Sequence, residues 1–183
     1  MSRRKAGSSC VIEPFDPGRH DRTAFSCGVE QVDNFFRRTA GKLSRAGNLR
    51  VFVMSGAEGE LIGFYALNAH SVDYDQLPPK FARNRPGHGR IPAAYISMIG
   101  VDRRFRGKGY GDDLLVDALI RIARAAEDVG IAIVMLDILD CGDPQRVEQR
   151  RRLYMGHGFA PLPSNPLRLF LPVGTVGKLL DQD

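Results

Sequence analysis

Arg104-Phe105-Arg106-Gly107-Lys108-Gly109-Tyr110-Gly111 decides how the rest of the chain is read. On its N-terminal side Ala93 to Val101 runs AAYISMIGV, apolar on both faces, which predicts a central strand. On its C-terminal side Gly109 to Asp128 places Leu114, Leu115, Ala118, Leu119, Ile122, Ala123 and Ala126 on one stripe, which predicts an amphipathic helix. The stretch is therefore a turn from a buried strand into a helix. A helix start presents unpaired N–H groups and the positive end of a dipole, so it accepts phosphate. Gly107, Gly109 and Gly111 let the backbone come close to an anion, and Arg104, Arg106 and Lys108 add charge around it. A pyrophosphate suits such a nest. Two nucleotide motifs are excluded. A Walker A loop requires GxxxxGK[ST], which is absent, and a dinucleotide fingerprint requires GxGxxG after the first strand, whereas GxGxG stands here past mid-chain.

Working outward, Val11 to Phe15 is a short apolar segment closed by Pro14 and Pro17, predicted as an edge strand. Val29 to Leu43 spaces Val32, Phe35, Phe36, Ala40 and Leu43 as a helix, with Arg37, Arg38 and Lys42 on another face. Arg50 to Ser55 and Leu61 to Val72 flank the turn Ala57-Glu58-Gly59-Glu60 and form a hairpin. Asp73 to Pro92 is rich in Pro, Gly and Arg and is predicted as a long loop, of the kind that carries function. Ile131 to Leu139 is a second central strand, Arg146 to Met155 a polar helix, and Phe159 to Pro161 and Arg168 to Pro172 are late strands. The order is that of a mixed α/β (α+β) sheet in a single domain over residues 10–183, after a basic tail at residues 1–9.

The 183 residues carry a formal net charge of +5, and 21 of the 26 basic residues are Arg, which favours planar bidentate partners such as phosphate. Hydrophobic residues at 43% and charged residues at 26% exclude a disordered or collagen-like chain. Cys10, Cys27 and Cys141 lie far apart with no ligand spacing, so no metal site is expected and a reduced, cytoplasmic setting is. No apolar run approaches the roughly 20 residues that span a bilayer, so no membrane association is expected. His157, in a Gly-His-Gly turn, and His20, His70 and His88 are expected to be structural or exposed.

Arg104-x-x-Gly107-x-Gly109 resembles the R/Q-x-x-G-x-G/A motif of the GNAT N-acetyltransferase superfamily, and Leu153-Tyr154-Met155-Gly156-His157-Gly158-Phe159 resembles that family's late (F/L)-Y-x-x-x-G-F element. The resemblance covers about Phe25 to Leu171. It implies a GNAT fold whose central sheet splays between strands four and five to admit the pantetheine arm of acetyl-CoA, with flanking helices. It further implies that backbone groups of Ile99, Gly100 and Val101 pair with pantetheine. Arg104, Arg106, Gly107, Lys108, Gly109, Tyr110 and Gly111 would cradle the pyrophosphate, and Tyr154 would be the catalytic acid that returns a proton to the leaving thiolate. Val147 and Arg150 stand where many members carry Asn and a small residue, and Asp140 to Gln145 lengthens the preceding turn. No acidic residue stands out as a general base on the fourth strand.

A narrower resemblance bears on the acceptor. Phe25-Ser26-Cys27-Gly28-Val29-Glu30-Gln31-Val32-Asp33-Asn34-Phe35-Phe36 is similar to the opening of acetyltransferase toxins of bacterial toxin–antitoxin pairs, and Leu61-Ile62-Gly63-Phe64-Tyr65-Ala66-Leu67 is similar to their "hhGYYAL" strand. This implies acetylation of the α-amine of aminoacyl-tRNA, which blocks translation, and a ribbon-helix-helix antitoxin as partner; a homodimer is a further expectation. The missing base agrees with it, because an α-amine titrates at about 7.7–8.0 and a lysine amine at about 10.4. Three basic groups are candidate tRNA contacts: Arg37, Arg38, Lys42 and Arg45 on the first helix, Arg83, Arg85 and Arg90 on the long loop, and Arg146, Arg150 and Arg151 on the helix of Tyr154. The alternative is an acetyltransferase of a small-molecule or peptide amine with no toxin role.

Overall fold

Seven strands hydrogen-bond in the order β1-β2-β3-β4-β5-β7-β6 in the computed structural model, which describes residues 10–81, 83, 87 and 89–180. The strands are β1 (Val11–Pro14), β2 (Arg50–Ser55), β3 (Leu61–Asp73), β4 (Arg90–Val101), β5 (Ile133–Asp137), β6 (Ala160–Leu162) and β7 (Asn165–Pro172). The sheet is mixed, as expected: β4 and β5 are parallel, while β1–β2, β5–β7 and β6–β7 are antiparallel. The β4–β5 register runs from Ala93↔Ile133 to Ile96↔Leu136 and stops there, although β4 continues to Val101. The expected tail at residues 1–9 and Arg85 lie outside the described residues. By contacts the chain divides into two compact units, Met1–Ala66 with Met98–Leu114 and Leu67–Ser97 with Leu115–Asp183.

In the first unit the early helix is three pieces: α1 (Glu30–Asn34), a π-helical turn (Phe35–Thr39) and α2 (Ala40–Arg45). Val32, Phe36 and Ala40 are buried as their spacing predicts, while Phe35 and Leu43 are only half-buried. The wider π turn rotates the residues after it relative to a regular helix. Phe36 stacks on Phe64 at 4.1 Å between ring centroids and meets Phe25 edge-on at 4.9 Å, forming the aromatic core of this unit.

In the second unit β5 buries Ile133, Val134, Met135 and Leu136 in succession, as a central strand with both faces covered should. Residues 131 and 132 lie outside the strand, and Ala132 instead braces neighbours by donating to Pro92 O at 2.9 Å and accepting from Val173 N at 3.0 Å. One face of this part of the sheet carries an apolar cluster of Val72, Leu77, Ile91, Ala93, Ile133, Met135, Leu162 and Phe170, with Tyr74, Phe81 and Tyr95 packed against it. The long loop thus lays Tyr74, Leu77 and Phe81 onto the sheet. Helix α3 (Tyr110–Asp128) buries Leu114, Leu115, Ala118, Leu119 and Ile122, the predicted stripe. Helix α4 (Pro144–Gly156) starts two residues before the predicted Arg146. Asp143 caps it by accepting from Gln145 N at 3.0 Å and Arg146 N at 3.3 Å, and Pro144 sits where its missing N–H costs nothing. Helix α5 (Val173–Leu180) was not anticipated, because Gly174 and Gly177 argue against a helix.

Candidate active site

The turn from β4 into α3 lies in the first unit. Gly107 and Gly109 take φ values of 73° and 85°, which L side chains rarely adopt, so glycine is required at both. Gly111 falls inside the first turn of α3. Asp112 N and Asp113 N both turn back to Gly109 O, at 3.0 and 3.2 Å, so the helix opens at Gly109. Its initial N–H groups have no acceptor within the helix, and a helix start of this kind can take an anion. Ile99, Gly100 and Val101 precede the turn and are half-buried.

The charged side chains of the turn divide their duties. Asp102, 1% exposed, accepts from Arg104 Nε at 2.9 Å, Arg104 Nη2 at 3.2 Å, Arg104 N at 3.0 Å and Ser26 N at 3.1 Å. Burial alone would raise its carboxyl, but the hydrogen bonds from Arg104 and Ser26 outweigh it and hold the group below the usual carboxylate range. Arg104 is therefore a strut for the turn as well as a charge beside it. Arg106 donates to Cys27 O. Asp33, also buried, accepts from Cys27 N at 2.7 Å and Ser26 Oγ at 3.0 Å. These bonds tie Ser26-Cys27 both to the anion turn and to α1. Lys108 is exposed, with Nζ 5.4 Å from the Phe105 ring centroid, and Tyr110 Oη accepts from Cys10 Sγ at 3.8 Å.

Tyr154 lies in the second unit, near the end of α4, and is 4% exposed. Its carbonyl accepts from His157 N and Phe159 N at 3.1 and 3.2 Å, and its ring meets Phe159 edge-on at 6.3 Å. His157 is thus a turn residue, as expected. Burial pushes the Tyr154 phenol up to about 12, partly opposed by the charge of Arg150. Among the described residues no side chain or carbonyl accepts its proton, so it is held on the oxygen and uncommitted.

The basic groups differ sharply. On α4, Arg146 pairs with Asp143 at 3.3 Å, Arg150 donates to Leu139 O at 2.8 Å and Cys141 Sγ at 3.4 Å, and Arg151 donates to Pro166 O at 3.2 Å beside Glu148. Arg90 pairs with Asp73 at 3.5 Å, and Arg83 is exposed. On the early helix Arg37 donates to Asp33 O at 3.3 Å, whereas Arg38, Lys42 and Arg45 are exposed with no ion pair among the described residues. Arg22, which no motif singles out, lies over the Phe15 ring at 4.8 Å and feels the charge of Arg45. A second group also escaped the sequence reading. Tyr95, Asp137, Arg168 and His70 come from four neighbouring strands and form one polar network. Only side-chain geometry reveals it, since the residues lie up to about 100 positions apart.

Comparison with known proteins agrees with this geometry. The family model described as "Acetyltransferase (GNAT) family" matches residues 19–159. The chain is 60% identical over 171 residues to a probable toxin TacT of Sinorhizobium fredii, covering 93% of this chain and 94% of that one. It is 32% identical to a tRNA-acetylating toxin of Mycobacterium tuberculosis, covering 82% of this chain and 85% of the other. A crystal structure of AtaTR bound with AcCoA superimposes with a TM-score of 0.78 at 25% identity, over 93% of this chain and 98% of that one. A glycine-built helix start after β4, a buried protonated tyrosine at the end of α4, and a family match spanning both lead to one assignment: the chain belongs to the GNAT family of acetyltransferases.

Proposed function

We propose that this protein transfers the acetyl group of acetyl-CoA to the α-amine of aminoacyl-tRNA and acts as a translation-blocking toxin. The observation that carries the acceptor is the 32% identical relative named a tRNA-acetylating toxin, joined by the 60% identical relative named a probable toxin. The N–H groups of Gly107 to Gly111 and the Lys108 ammonium hold the pyrophosphate, and Arg104 fixes the turn through Asp102. Backbone groups of Ile99, Gly100 and Val101 hold the pantetheine arm. The acceptor nitrogen attacks the thioester carbonyl, the C–N bond forms and the C–S bond breaks. Tyr154 gives its proton to the departing sulfur, the surplus proton on nitrogen leaves to water, and water returns a proton to the phenolate. Arg38, Lys42 and Arg45 supply the open charge for tRNA phosphates, with Arg37 and Arg83 beside that duty and the α4 arginines contributing less. A ribbon-helix-helix antitoxin and a second copy of the chain are the partners this reading expects. No described helix is long and apolar enough to cross a membrane, and we assign the protein to the cytoplasm, where its acceptor resides.

Inducible expression beside a Tyr154→Phe control tests the reading. Growth arrest by the wild type alone, with labelled acetyl appearing on charged tRNA, is the expected result. Unimpaired growth with both, and label passing only to small amines or peptides, would replace the toxin by the alternative acceptor class.

A further inference from the structure

The chemistry above uses one tyrosine and leaves unexplained a second that is as strongly perturbed. Tyr95 Oη on β4 donates to Asp137 Oδ2 at 2.8 Å. Arg168 on β7 grips the same carboxylate with two bonds, Nε to Oδ1 at 2.7 Å and Nη2 to Oδ2 at 2.8 Å. His70 on β3 lies 5.3 Å from the Tyr95 ring, centroid to centroid. The group occupies a particular place. Asp137 is the last residue of β5, one past the final β4–β5 pair, Ile96↔Leu136. The Tyr95 ring packs on the apolar cluster of Met135 and Phe170, and its hydroxyl lies at the polar end. Arg150 on α4 donates to Leu139 O, two residues beyond Asp137, and Tyr154 stands one helical turn further along α4. Arg150 thus ties the segment after β5 to the helix that carries Tyr154.

The network has unspent capacity of one kind. A carboxylate offers about four acceptor positions, and Asp137 uses three, leaving one on Oδ1. Tyr95 spends its proton on Asp137, takes a hydrogen bond from Arg168 and keeps one lone pair. The Asp137 and Arg168 side chains are 35% and 34% exposed, so a ligand can reach them. Two neighbouring acceptors suit a group with two hydrogens to give. Charge then selects its state. A lone carboxylate would hold an ammonium, whose nitrogen has no pair with which to attack. Asp137 is cancelled by Arg168 and gains little by keeping the amine charged.

Resting on the acetyl-transfer reading, we propose that Tyr95 and Asp137, neutralised by Arg168, form the acceptor-amine site, and that the site selects primary amines already neutral near pH 7. Such a site takes an α-amine made weakly basic by its neighbouring carbonyl and disfavours a lysine side chain. The titrations agree. Burial would raise the Asp137 carboxyl, but the bonds from Arg168 and Tyr95 and the nearby His70 hold it below the usual range, so it remains an acceptor. Burial, and then the bond to Asp137, push the Tyr95 phenol up to about 12, so it orients the amine and does not deprotonate it. The ionisable neighbours of Asp137 in the network are Arg168, Tyr95 and His70.

The test measures acetyl transfer by the full chain from acetyl-CoA to charged tRNA, at steady state and in single turnovers across pH. Tyr95→Phe should lower kcat/KM for charged tRNA about tenfold, with KM for acetyl-CoA within about twofold of the wild type. Arg168→Gln should move the acidic limb of the saturated single-turnover rate up by about one pH unit. Arg168→Lys and His70→Gln should leave that limb in place. The proposal is overturned if Tyr95→Phe changes both substrates equally or neither. It is also overturned if Arg168→Gln lowers the rate at every pH without moving the limb, or if His70→Gln moves it. Should Arg168→Gln fail to fold, Tyr95→Phe and the unmoved limb of Arg168→Lys still decide. A wild type inactive on charged tRNA defeats the aminoacyl-tRNA reading alone, and the same variants are then compared on a small primary amine that the enzyme accepts.

Discussion

Helix α4 and the α1–α2 helix are both rich in arginine and use it in opposite ways. On α4 Arg146, Arg150, Arg151 and Arg152 each have a partner: Asp143, the Leu139 carbonyl, the Pro166 carbonyl and Glu148. On the early helix Arg38, Lys42 and Arg45 face solvent without an ion pair among the described residues. A run of positive charge therefore has no fixed meaning. On α4 the guanidinium groups fasten the helix that carries the buried Tyr154 phenol; on α1–α2 three cations stand in solvent, where the proposed function places a polyanion. The proposed function gives one region a chemical step and the other a binding duty, and that division can be attacked experimentally.

The largest effect belongs to α4. Tyr154→Phe deletes the proposed proton donor and leaves the ring packed on Phe159. General acid catalysis contributes about 10²- to 10⁴-fold, so kcat should fall by that order while KM for charged tRNA stays within about threefold. Stopped single-turnover assays at saturating acetyl-CoA check it. A variant retaining a tenth of the wild-type rate would remove α4 from the chemistry and end the contrast.

On the early helix the split should invert. Replacing Arg38, Lys42 and Arg45 together by Ala should raise KM for charged tRNA about 10- to 100-fold at low salt with kcat nearly kept. The slope of log KM against log salt should drop by about 2, since each lost phosphate contact removes about 0.7 to 0.9. An unchanged slope would show that these charges do not meet RNA phosphates.

How much of this division was legible beforehand differs by feature. The glycine turn into α3 was, because turn and helix-start chemistry are local: Gly107, Gly109 and the α3 stripe lie within one stretch. The pairing of Arg104 with Asp102 was not, because two residues apart in sequence they could equally have faced opposite ways. The start of α4 was missed by two residues, since Asp143-Pro144 reads as a loop and serves as cap and first turn. The α4 arginines looked as open as those of α2, because their acceptors, the carbonyls of Leu139 and Pro166, belong to other elements. The Tyr95–Asp137–Arg168 network was invisible, since it exists only once β4, β5 and β7 are laid side by side. Local backbone chemistry is written in sequence, and side-chain pairing across a sheet is not.

Burial of Tyr154 also has a stability signature that sharpens the contrast, because no group on α2 is buried enough to share it. Its phenol titrates at about 12 in the folded chain against an ordinary value of 10. Below pH 10 both states hold the proton and nothing changes. Between pH 10 and 12 the unfolded chain ionises first, so the folded state loses stability as pH rises, by about 3 kcal/mol in all. Denaturant unfolding of the wild type and Tyr154→Phe across that window should show the wild type falling relative to the variant. Parallel curves would mean that the phenol is solvated, and that its proton is no better held than that of a surface tyrosine.

The smallest effect is expected where charge looks densest. Arg151 and Arg152 flank Tyr154 and reach Glu148 at 3.7 and 3.0 Å, and Arg152 is 79% exposed. Exposed pairs of this kind contribute roughly 0–1 kcal/mol, and a guanidinium already facing a carboxylate presents little net field to RNA. Changing both to Ala should therefore shift KM for charged tRNA less than about threefold and leave the salt slope nearly unaltered. The Glu148 carboxylate left behind is the sensitive control. If Arg151→Ala with Arg152→Ala weakens tRNA binding strongly, and Glu148→Gln strengthens it, then Glu148 is masking a binding surface, and α4 would join α1–α2 as a second face for the acceptor. If neither changes binding, the arginines of α4 belong to the helix and the phenol it carries, and the polyanion is met elsewhere.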